Sequence, residues 1–449
     1  MYFKQIETKG LAHFSYMIGD EGHMMVIDPR RDIGIYLELA RQQGMPIKGI
    51  FETHRNEDIV SGAKELSEVT GAPVYISAFE ELGHNYGTRI KEQDFPFGTL
   101  NLRSLHTPGH TRGHLSFVLE KEGEPLMVFV GDTLFYGDLG RTDFYGDAAL
   151  EEMTGLLYDS IFHKLLPLGD HVLLFPAHGA GSACGGEIEE RHLSTLGFER
   201  KYNPALQVAD KEEFIQKHAY KRPFPPYFKT VEVLNVEGGP FLGEKVSPLP
   251  LIPLHSARFE GTVVDIRTRT AFAGGHLPGS LFLKYDIVSS HLGYLEKTDA
   301  PLALLADELS EDQLSLAYLT LLRMGYSNIQ GFFGQNTLKA LEISAVEIDT
   351  LEQIKPYEYL KRKGDFLLLD VRREDERSED DPVDERLCIV LSSLPENLDK
   401  LPKDKKIFTV CQSGERATVA ASYLNKMGFH AGILRGGMLG LIAFVEKKK

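Results

Sequence analysis

The sequence predicts an α/β protein made of three layered domains. Three observations carry that prediction. Short apolar runs that read as strands alternate with amphipathic stretches that read as helices. The residues able to do chemistry fall where those strands end, and the second half of the chain repeats internally. A length of 449 residues is too great for one ordinary core, and domains are expected over 1–250, 251–348 and 349–449.

Taken in order, Phe14 to Ile18 and Met24 to Ile27 flank G-D-E-G-H and read as an antiparallel hairpin. Ile33, Ile35, Leu37, Leu39 and Ala40 mark a helix over 32–43, and the strand Ile47 to Phe51 then delivers His54. A helix over 58–69 and a strand from Val74 to Ser77 follow. The central stretch reads H-T-P-G-H-T-R-G-H-L-S-F and then L-M-V-F-V-G-D-T-L-F, so His110 sits in a Gly-flanked turn before one strand and Asp132 where another ends. Leu150, Met153, Leu156, Leu157, Ile161 and Leu165 recur at helical spacing, predicting one amphipathic helix over 146–166 that serves core packing. A strand from His171 to Ala177 leads to His178. Residues 187–255 show no clear element pattern; within them H-A-Y-K-R-P-F-P-P-Y-F-K and the Gly/Pro-rich run Gly238 to Pro253 read as an extended tail and linker, with a boundary near residue 250.

Apolar content of 42% and charged content of 25% are those of an ordinary folded protein, which argues against disorder. A net charge of −16 disfavours nucleic acid or an anionic membrane as partner, because phosphate binding relies on clustered Lys and Arg. No basic leader followed by an apolar segment opens the chain, and no run of about 18 apolar residues occurs, so a cytoplasmic protein is expected. Cys184, Cys388 and Cys411 are the only cysteines. An odd, sparse set does not make a disulfide framework and fits a reducing compartment. A homo-oligomer is expected.

Two imidazoles and one carboxylate, His54, His110 and Asp132, with the remaining coordination positions open, suit non-haem Fe(II) and O2. The motifs around them, T-H-R-N-E-D-I from Thr53, G-H-T from Gly109, G-D at Gly131-Asp132 and H-G at His178-Gly179, resemble the metallo-beta-lactamase fold. That resemblance implies an αββα sandwich. Hydrolytic members carry T-H-x-H-x-D-H and bind two metals, whereas Asn56 and Ile59 stand here where two histidines would be. With G-R-T-D-F from Gly140 and H-G-A-G-S-A-C-G from His178, the pattern is similar to the persulfide dioxygenase branch, which implies one Fe(2+) per chain held by His54, His110 and Asp132. Asp58 and His178, ligands in a two-metal site, would then stand behind the ligands. Arg141 and Asp143 would brace the site as an ion pair, a substrate-carboxylate role for Arg141 staying open. Cys184 would either face the metal pocket or be a buried thiol, and His106 and His114 are assigned structural roles.

The repeat is direct: Val264-Asp265-Ile266-Arg267 recurs as Leu369-Asp370-Val371-Arg372, and Arg323-Met324-Gly325-Tyr326 as Lys426-Met427-Gly428-Phe429, at offsets of 105 and 103. Both copies resemble rhodanese (sulfurtransferase) domains, the first through D-I-R and G-H-L-P-G-S, the second through D-V-R and C-Q-S-G-E-R-A. Cys411 follows an apolar strand and precedes a helix, so the loop Gln412, Ser413, Gly414, Glu415 turns backbone N–H groups toward a thiolate. Arg416 adds a fixed charge for sulfite or thiosulfate oxygens. The first copy has Asp307 and Glu308 near the place of that cysteine, so it is expected to be silent, a spacer or docking surface. In the second, R-E-D-E-R-S-E-D-D-P-V-D-E from Arg373 replaces the G-H-x-P-G turn. Cys388, in L-C-I-V-L, reads as a buried small hydrophobe.

What the resemblances imply together is oxidation of a low-molecular-weight thiol persulfide by O2 to sulfite and thiol, coupled to sulfane-sulfur exchange with sulfite or thiosulfate at Cys411. The rivals are a Zn(2+) thioester hydrolase of glyoxalase II type fused to a sulfurtransferase, and a metal-free binding module beside an active Cys411.

Overall fold

Every residue of the strand His13–Asp20 is buried, and alternate side chains serve two different cores. Tyr16 and Ile18 pack with Phe117, Leu119 and Phe129, whereas Met17 packs with Ile33, Tyr36 and Leu66. A strand has side-chain period two, so burial of both faces means a covered sheet on one side and helices on the other. The same alternation runs through the facing sheet, where Phe117, Leu119 and Phe129 point inward while Val118, Val128 and Val130 pack with Leu157, Ile161 and Phe214. Helix, sheet, sheet, helix is the layering that results.

The structure, a computed structural model, describes residues 1–243, 246–253, 259–343, 347–362, 364–383 and 385–447. Part of the expected linker and Asp384 of the acidic stretch lie outside the described residues. The chain divides into two compact units, Met1–Ser247 with Leu322–Gly325, and Pro248–Leu321 with Tyr326–Lys449. In the first unit one six-stranded sheet runs Tyr2–Thr8, His13–Asp20, His23–Ile27, Ile47–Phe51, Val74–Ser77, Thr88–Ile90 in spatial order. Its first three strands form an antiparallel meander and the others add in parallel. The second sheet runs Ser194–Thr195, Leu173–Pro176, Glu124–Gly131, Leu115–Lys121, Leu100–His106, Asp94–Phe97. Outer helices Gly34–Gln43 and Ala63–Thr70 cover the first sheet, and Asp147–Asp159 with Lys211–His218 cover the second. Each aromatic or aliphatic side chain fully buried between the sheets, such as Phe129 or Leu119, contributes roughly 1.5–3 kcal/mol.

Three expectations for the first unit change. The helix after His54 begins at Ala63, not at Asp58, because 56–62 is held as an irregular loop whose Asn56 and Ile59 carbonyls accept from the Asn235 side chain. The single helix over 146–166 is instead an α-helix Asp147–Asp159, a π-helical turn Ser160–Leu165 and a 3-10 turn Leu166–Leu168, with Pro167 unable to continue the ladder. The stretch after residue 187 carries three α-helices, Leu196–Tyr202, Lys211–His218 and Tyr227–Glu237, the last of them beginning inside the run read as extended. Two of these helices are announced by caps, Thr195 accepting from Phe198 N–H and Asp210 from Glu213 N–H.

The second unit holds two all-parallel sheets. One orders Leu281–Phe282, Thr262–Asp265, Leu302–Leu305, Ile329–Phe333. The other orders Gln353–Ile354, Ala431–Leu434, Ile407–Val410, Leu367–Asp370, Leu387–Cys388. The two D-x-R repeats occupy equivalent strand ends and pair internally, Arg267 Nη2 to Asp265 at 2.6 Å and Arg372 Nη2 to Asp370 at 2.8 Å. Cys388, expected to be buried, is exposed: it lies on a two-residue edge strand where the period-two pattern turns Ile389 inward.

Candidate metal centre and thiol loop

Strand ends bring the predicted ligands of the first unit together. His54 follows Ile47–Phe51, His110 lies in the loop before Leu115–Lys121, and Asp132 follows Glu124–Gly131. Gly131 has φ +50°, and a Cβ there would strike His114 Nε2 and Thr53 Oγ1, so only glycine lets the strand end this close to the histidines.

His54 Nε2, His110 Nε2 and Asp132 Oδ2 lie within 4.8 Å of one another, with Asp132 Oδ2 3.8 Å from the first and 3.5 Å from the second. All three residues are buried and none of the three atoms has a hydrogen-bond partner. The opposite edge of each is fixed. Thr53 gives its hydroxyl proton to Asp28 Oδ2 at 2.8 Å, so its oxygen accepts from His54 Nδ1 at 2.8 Å. His110 Nδ1 donates to the Arg141 carbonyl at 2.9 Å. Both rings therefore present an Nε2 lone pair to the centre. Asp132 Oδ1 is taken by His178 Nδ1 at 2.7 Å, leaving Oδ2 for the centre. Buried donors orphaned in this way cost free energy unless a cation meets them, and separations slightly above the roughly 3–3.5 Å between ligands of one ion leave room for one.

The electrostatics agree. Burial holds His54 well below the usual imidazole range. Burial would lift Asp132, but the charge and hydrogen bond of His178, then His54 and His110, bring it far below the usual carboxylate range. Burial would lower His110, yet Glu57 and Asp132 raise it, which marks a place suited to positive charge. His114 is pushed down to about 3 by burial and by His110. Neutral, it accepts the Asp132 backbone N–H at Nε2, 3.1 Å away, and sets the turn after the strand.

Glu57 was not anticipated. It is buried, neither carboxylate oxygen has a hydrogen-bond partner, and Oε2 stands 3.5 Å from His110 Nε2. A glutamate in a polar loop normally points to solvent, and only the sandwich encloses this one. Asp58, His178 and Cys184 form a second buried group within 4.8 Å. His178 Nε2 is 2.9 Å from Asp58 Oδ2, and burial with the charge of Asp58 pushes the Cys184 thiol up. Cys184 thus lies beside Asp58 and His178, with Asp132 and Glu57 near enough to add to the shift.

Arg141 and Asp143 form a bidentate pair at 2.7 and 2.8 Å. The remaining guanidinium hydrogens go to the carbonyls of Ala183, Arg222 and Pro223, which leaves none for a substrate carboxylate. Phe144 meets the His110 ring edge-on at 5.1 Å and stacks on Phe224, giving the ligand sphere an apolar wall.

In the second unit Cys411 ends the strand Ile407–Val410 and the helix Glu415–Lys426 begins four residues later. Gly414, at φ +107°, turns its N–H to Sγ at 3.1 Å, and Ala417 N–H adds a second contact at 3.4 Å. Gln412 Oε1 accepts from Arg372 at 3.3 Å. Both Arg416 Nη atoms are paired with Glu376, at 2.6 and 2.5 Å, and the guanidinium also stands beside Cys411. Glu415 opens the helix, and Ser413 is exposed at the loop tip.

Residues 8–178 match the metallo-beta-lactamase superfamily and residues 355–443 the rhodanese-like domain. A hydroxyacylglutathione hydrolase of Francisella philomiragia is 34% identical over 173 residues, 38% of this chain, and the chain spans 64% of that relative's length. Among solved structures, a metallo-beta-lactamase of Staphylococcus aureus subsp. aureus COL is similar at 29% identity with a TM-score of 0.67, over 74% of this chain and 98% of that one. ETHE1 of Myxococcus xanthus is similar at 27% identity with a TM-score of 0.46, over 53% of this chain and all of that one. No helix among the described residues is long and apolar enough to cross a membrane. Strand-end ligands in a two-sheet sandwich and a thiol loop on a parallel sheet thus make this chain an α/β protein in which a metallo-beta-lactamase domain is followed by a rhodanese-like domain.

Proposed function

We propose that the chain oxidises a low-molecular-weight thiol persulfide with O2 at the centre of His54, His110 and Asp132, and exchanges sulfane sulfur at Cys411. One observation carries the first half. Three buried donors with fixed opposite edges converge without partners, whereas Asn56 and Ile59 withhold two imidazoles from a second metal. Ferrous iron bound there supplies redox chemistry with O2 that zinc lacks. The overall change is R–S–SH + O2 + H2O → R–SH + sulfite + 2 H⁺. Phe144 sets an apolar ring against His110, and the Glu57 oxygens, which have no hydrogen-bond partner, are placed to receive a released proton. Arg141 fixes the His110 ring through its carbonyl.

At Cys411 the thiolate attacks the outer sulfur of thiosulfate; the S–S bond breaks, sulfite leaves with the electron pair, and Cys411 carries the persulfide. N–H groups of Gly414 and Ala417 on Sγ stabilise sulfur anions before and after transfer. In the reverse direction sulfite attacks the outer sulfur of the Cys411 persulfide, the S–S bond breaks and thiosulfate leaves the free thiolate, so one chain raises the local concentration of the sulfite made at the first centre.

The test is anaerobic loading with one Fe(II) per chain, followed by O2-electrode measurement with glutathione, coenzyme A and bacillithiol persulfides. Uptake with sulfite formed in equal amount is expected, and no uptake by the iron-loaded protein sinks the oxidative reading. Cys411→Ser should abolish thiosulfate:cyanide transfer and leave oxygen uptake intact.

A second reading, zinc-dependent thioester hydrolysis, is favoured by the group Asp58, His178 and Cys184 and by the relative named hydroxyacylglutathione hydrolase. It requires two zinc ions per chain, one of them lost in Cys184→Ser, and hydrolysis of S-lactoylglutathione without O2.

A further inference from the structure

The copy without a cysteine reaches the thiol loop of the other. Arg269, at the start of the helix Arg269–Gly274, donates from Nη1 to the carbonyl of Ser413 in the Cys411 loop at 2.5 Å. Its guanidinium fills the space beside Gly414: a Cβ on that glycine would collide with Nη1 and stand 3.2 Å from Cζ. The Gly414 N–H is the nearer donor to Sγ, so the arginine lies over the peptide that contacts the sulfur, within roughly 8 Å of it by bond lengths.

The two copies are locked in this arrangement by contacts on either side. The Phe282 N–H donates to Ser422 Oγ at 3.0 Å, and Lys426 Nζ bonds both Thr262 Oγ1 at 2.6 Å and Glu296 Oε2 at 2.5 Å. His291 lies close enough to Arg416 to feel its charge, which with burial pushes it down to about 4. Charge accounting at the loop then singles out one residue. Arg416, which stands beside Cys411, is paired with Glu376, and Arg372 with Asp370 and Asp381. Arg269, partly exposed, makes no ion pair with any carboxylate among the described residues.

From this juxtaposition we infer that Arg269 of the cysteine-less copy is the anion-positioning residue of the Cys411 site, holding a sulfonate-type oxyanion such as that of thiosulfate over the thiol and anchoring the loop through Ser413. This rests on the sulfur-transfer reading of Cys411. It also gives the silent copy a task other than spacer: its strand and helix deliver a guanidinium across 144 residues of sequence. An arginine suits the task because the donor that faces the carbonyl leaves others of the planar fork for oxyanion oxygens.

Two alkylating agents of equal reach separate charge from shape. Iodoacetate is an anion and iodoacetamide is neutral, and reaction is read at the Cys411 peptide by mass spectrometry in the full chain. In Arg269→Gln the iodoacetate-to-iodoacetamide rate ratio should fall about fivefold, Arg269→Glu should lower it further, and Arg269→Lys should restore most of it. KM for thiosulfate should rise about tenfold in Arg269→Gln with kcat changed less than about twofold. An unchanged ratio, or equal slowing by both reagents, overturns the assignment. The alkylation needs no sulfurtransferase turnover, so absence of thiosulfate:cyanide transfer in the unaltered chain would sink the transfer reading and still leave Arg269 judged by the ratio. Matching far-ultraviolet circular dichroism and melting curves establish that the compared variants are folded, and Arg269→Lys keeps the test alive should the neutral variant unfold.

Discussion

The backbone carbonyl of Arg141 accepts the Nδ1 proton of His110 at 2.9 Å, so one residue links a buried ion pair to a metal-facing ring. The guanidinium of Arg141 is clamped by Asp143, and Asp143 Oδ2 also accepts the Arg222 backbone N–H at 2.8 Å. Asp143→Asn should leave the arginine buried with its charge unpaired and loosen the carbonyl. Metal affinity should fall about tenfold to a hundredfold, measured by competition with a chromophoric chelator, while Asp143→Glu recovers part of it.

Thr53 does for His54 what Arg141 does for His110, passing its proton to Asp28 while accepting from the ring. Thr53→Val keeps the shape and removes the relay. The Asp28 carboxylate still receives the residue 53 N–H at 2.7 Å, so stability should drop by only about 1 kcal/mol. Metal affinity should drop about tenfold, and calorimetric titration with Fe(II) or Zn(II) reads the split. Equal loss of stability and affinity would mean that the hydroxyl serves the fold and not the centre.

The sequence revealed His54, Asp132 and His178 because each follows a short apolar run, ending at Phe51, Gly131 and Pro176, and His110 because it sits in a Gly-flanked turn just before one. The D-x-R repeats were visible for the same reason: a parallel strand buried on both faces, such as Leu302–Leu305 or Ile407–Val410, is an unbroken apolar word. What stayed hidden depends on contacts far apart in the chain. Glu57, Glu376 and Arg269 look like solvated charges until the fold encloses the first and aims the others at the thiol loop. The helices after residue 195 were obscured by scattered Pro and Gly, although Thr195 and Asp210 were available as caps.

Asn56 and Ile59 give a gain-of-site prediction. The buried side chains of Asp58 and His178 stand 2.9 Å apart. The double change Asn56→His, Ile59→His should raise bound zinc from one to two per chain by elemental analysis, and O2-dependent sulfite formation should fall. A count of two before any change would instead show that Asp58, His178 and Cys184 already hold an ion.

Glu376 gives the thiol loop a pH-dependent lock. Bonds from Arg416 first, then the Arg373 N–H, hold its carboxylate down to about 2, against an ordinary value of 4.5. A carboxylate depressed on folding contributes stability that is fully present above about 4.5 and lost as the pH falls toward 2. Acid should therefore loosen the Arg373–Glu385 stretch across that window, with no effect near neutrality. At neutral pH the pair instead occupies both Arg416 Nη atoms. Glu376→Gln removes the competing charge, and KM for thiosulfate should fall about fivefold. The acid transition of the thiol-loop unit, followed by hydrogen exchange at Ala417 and Gly414, should lose its component between pH 4.5 and 2. A higher KM in Glu376→Gln would show that the carboxylate aims Arg416 and does not block it.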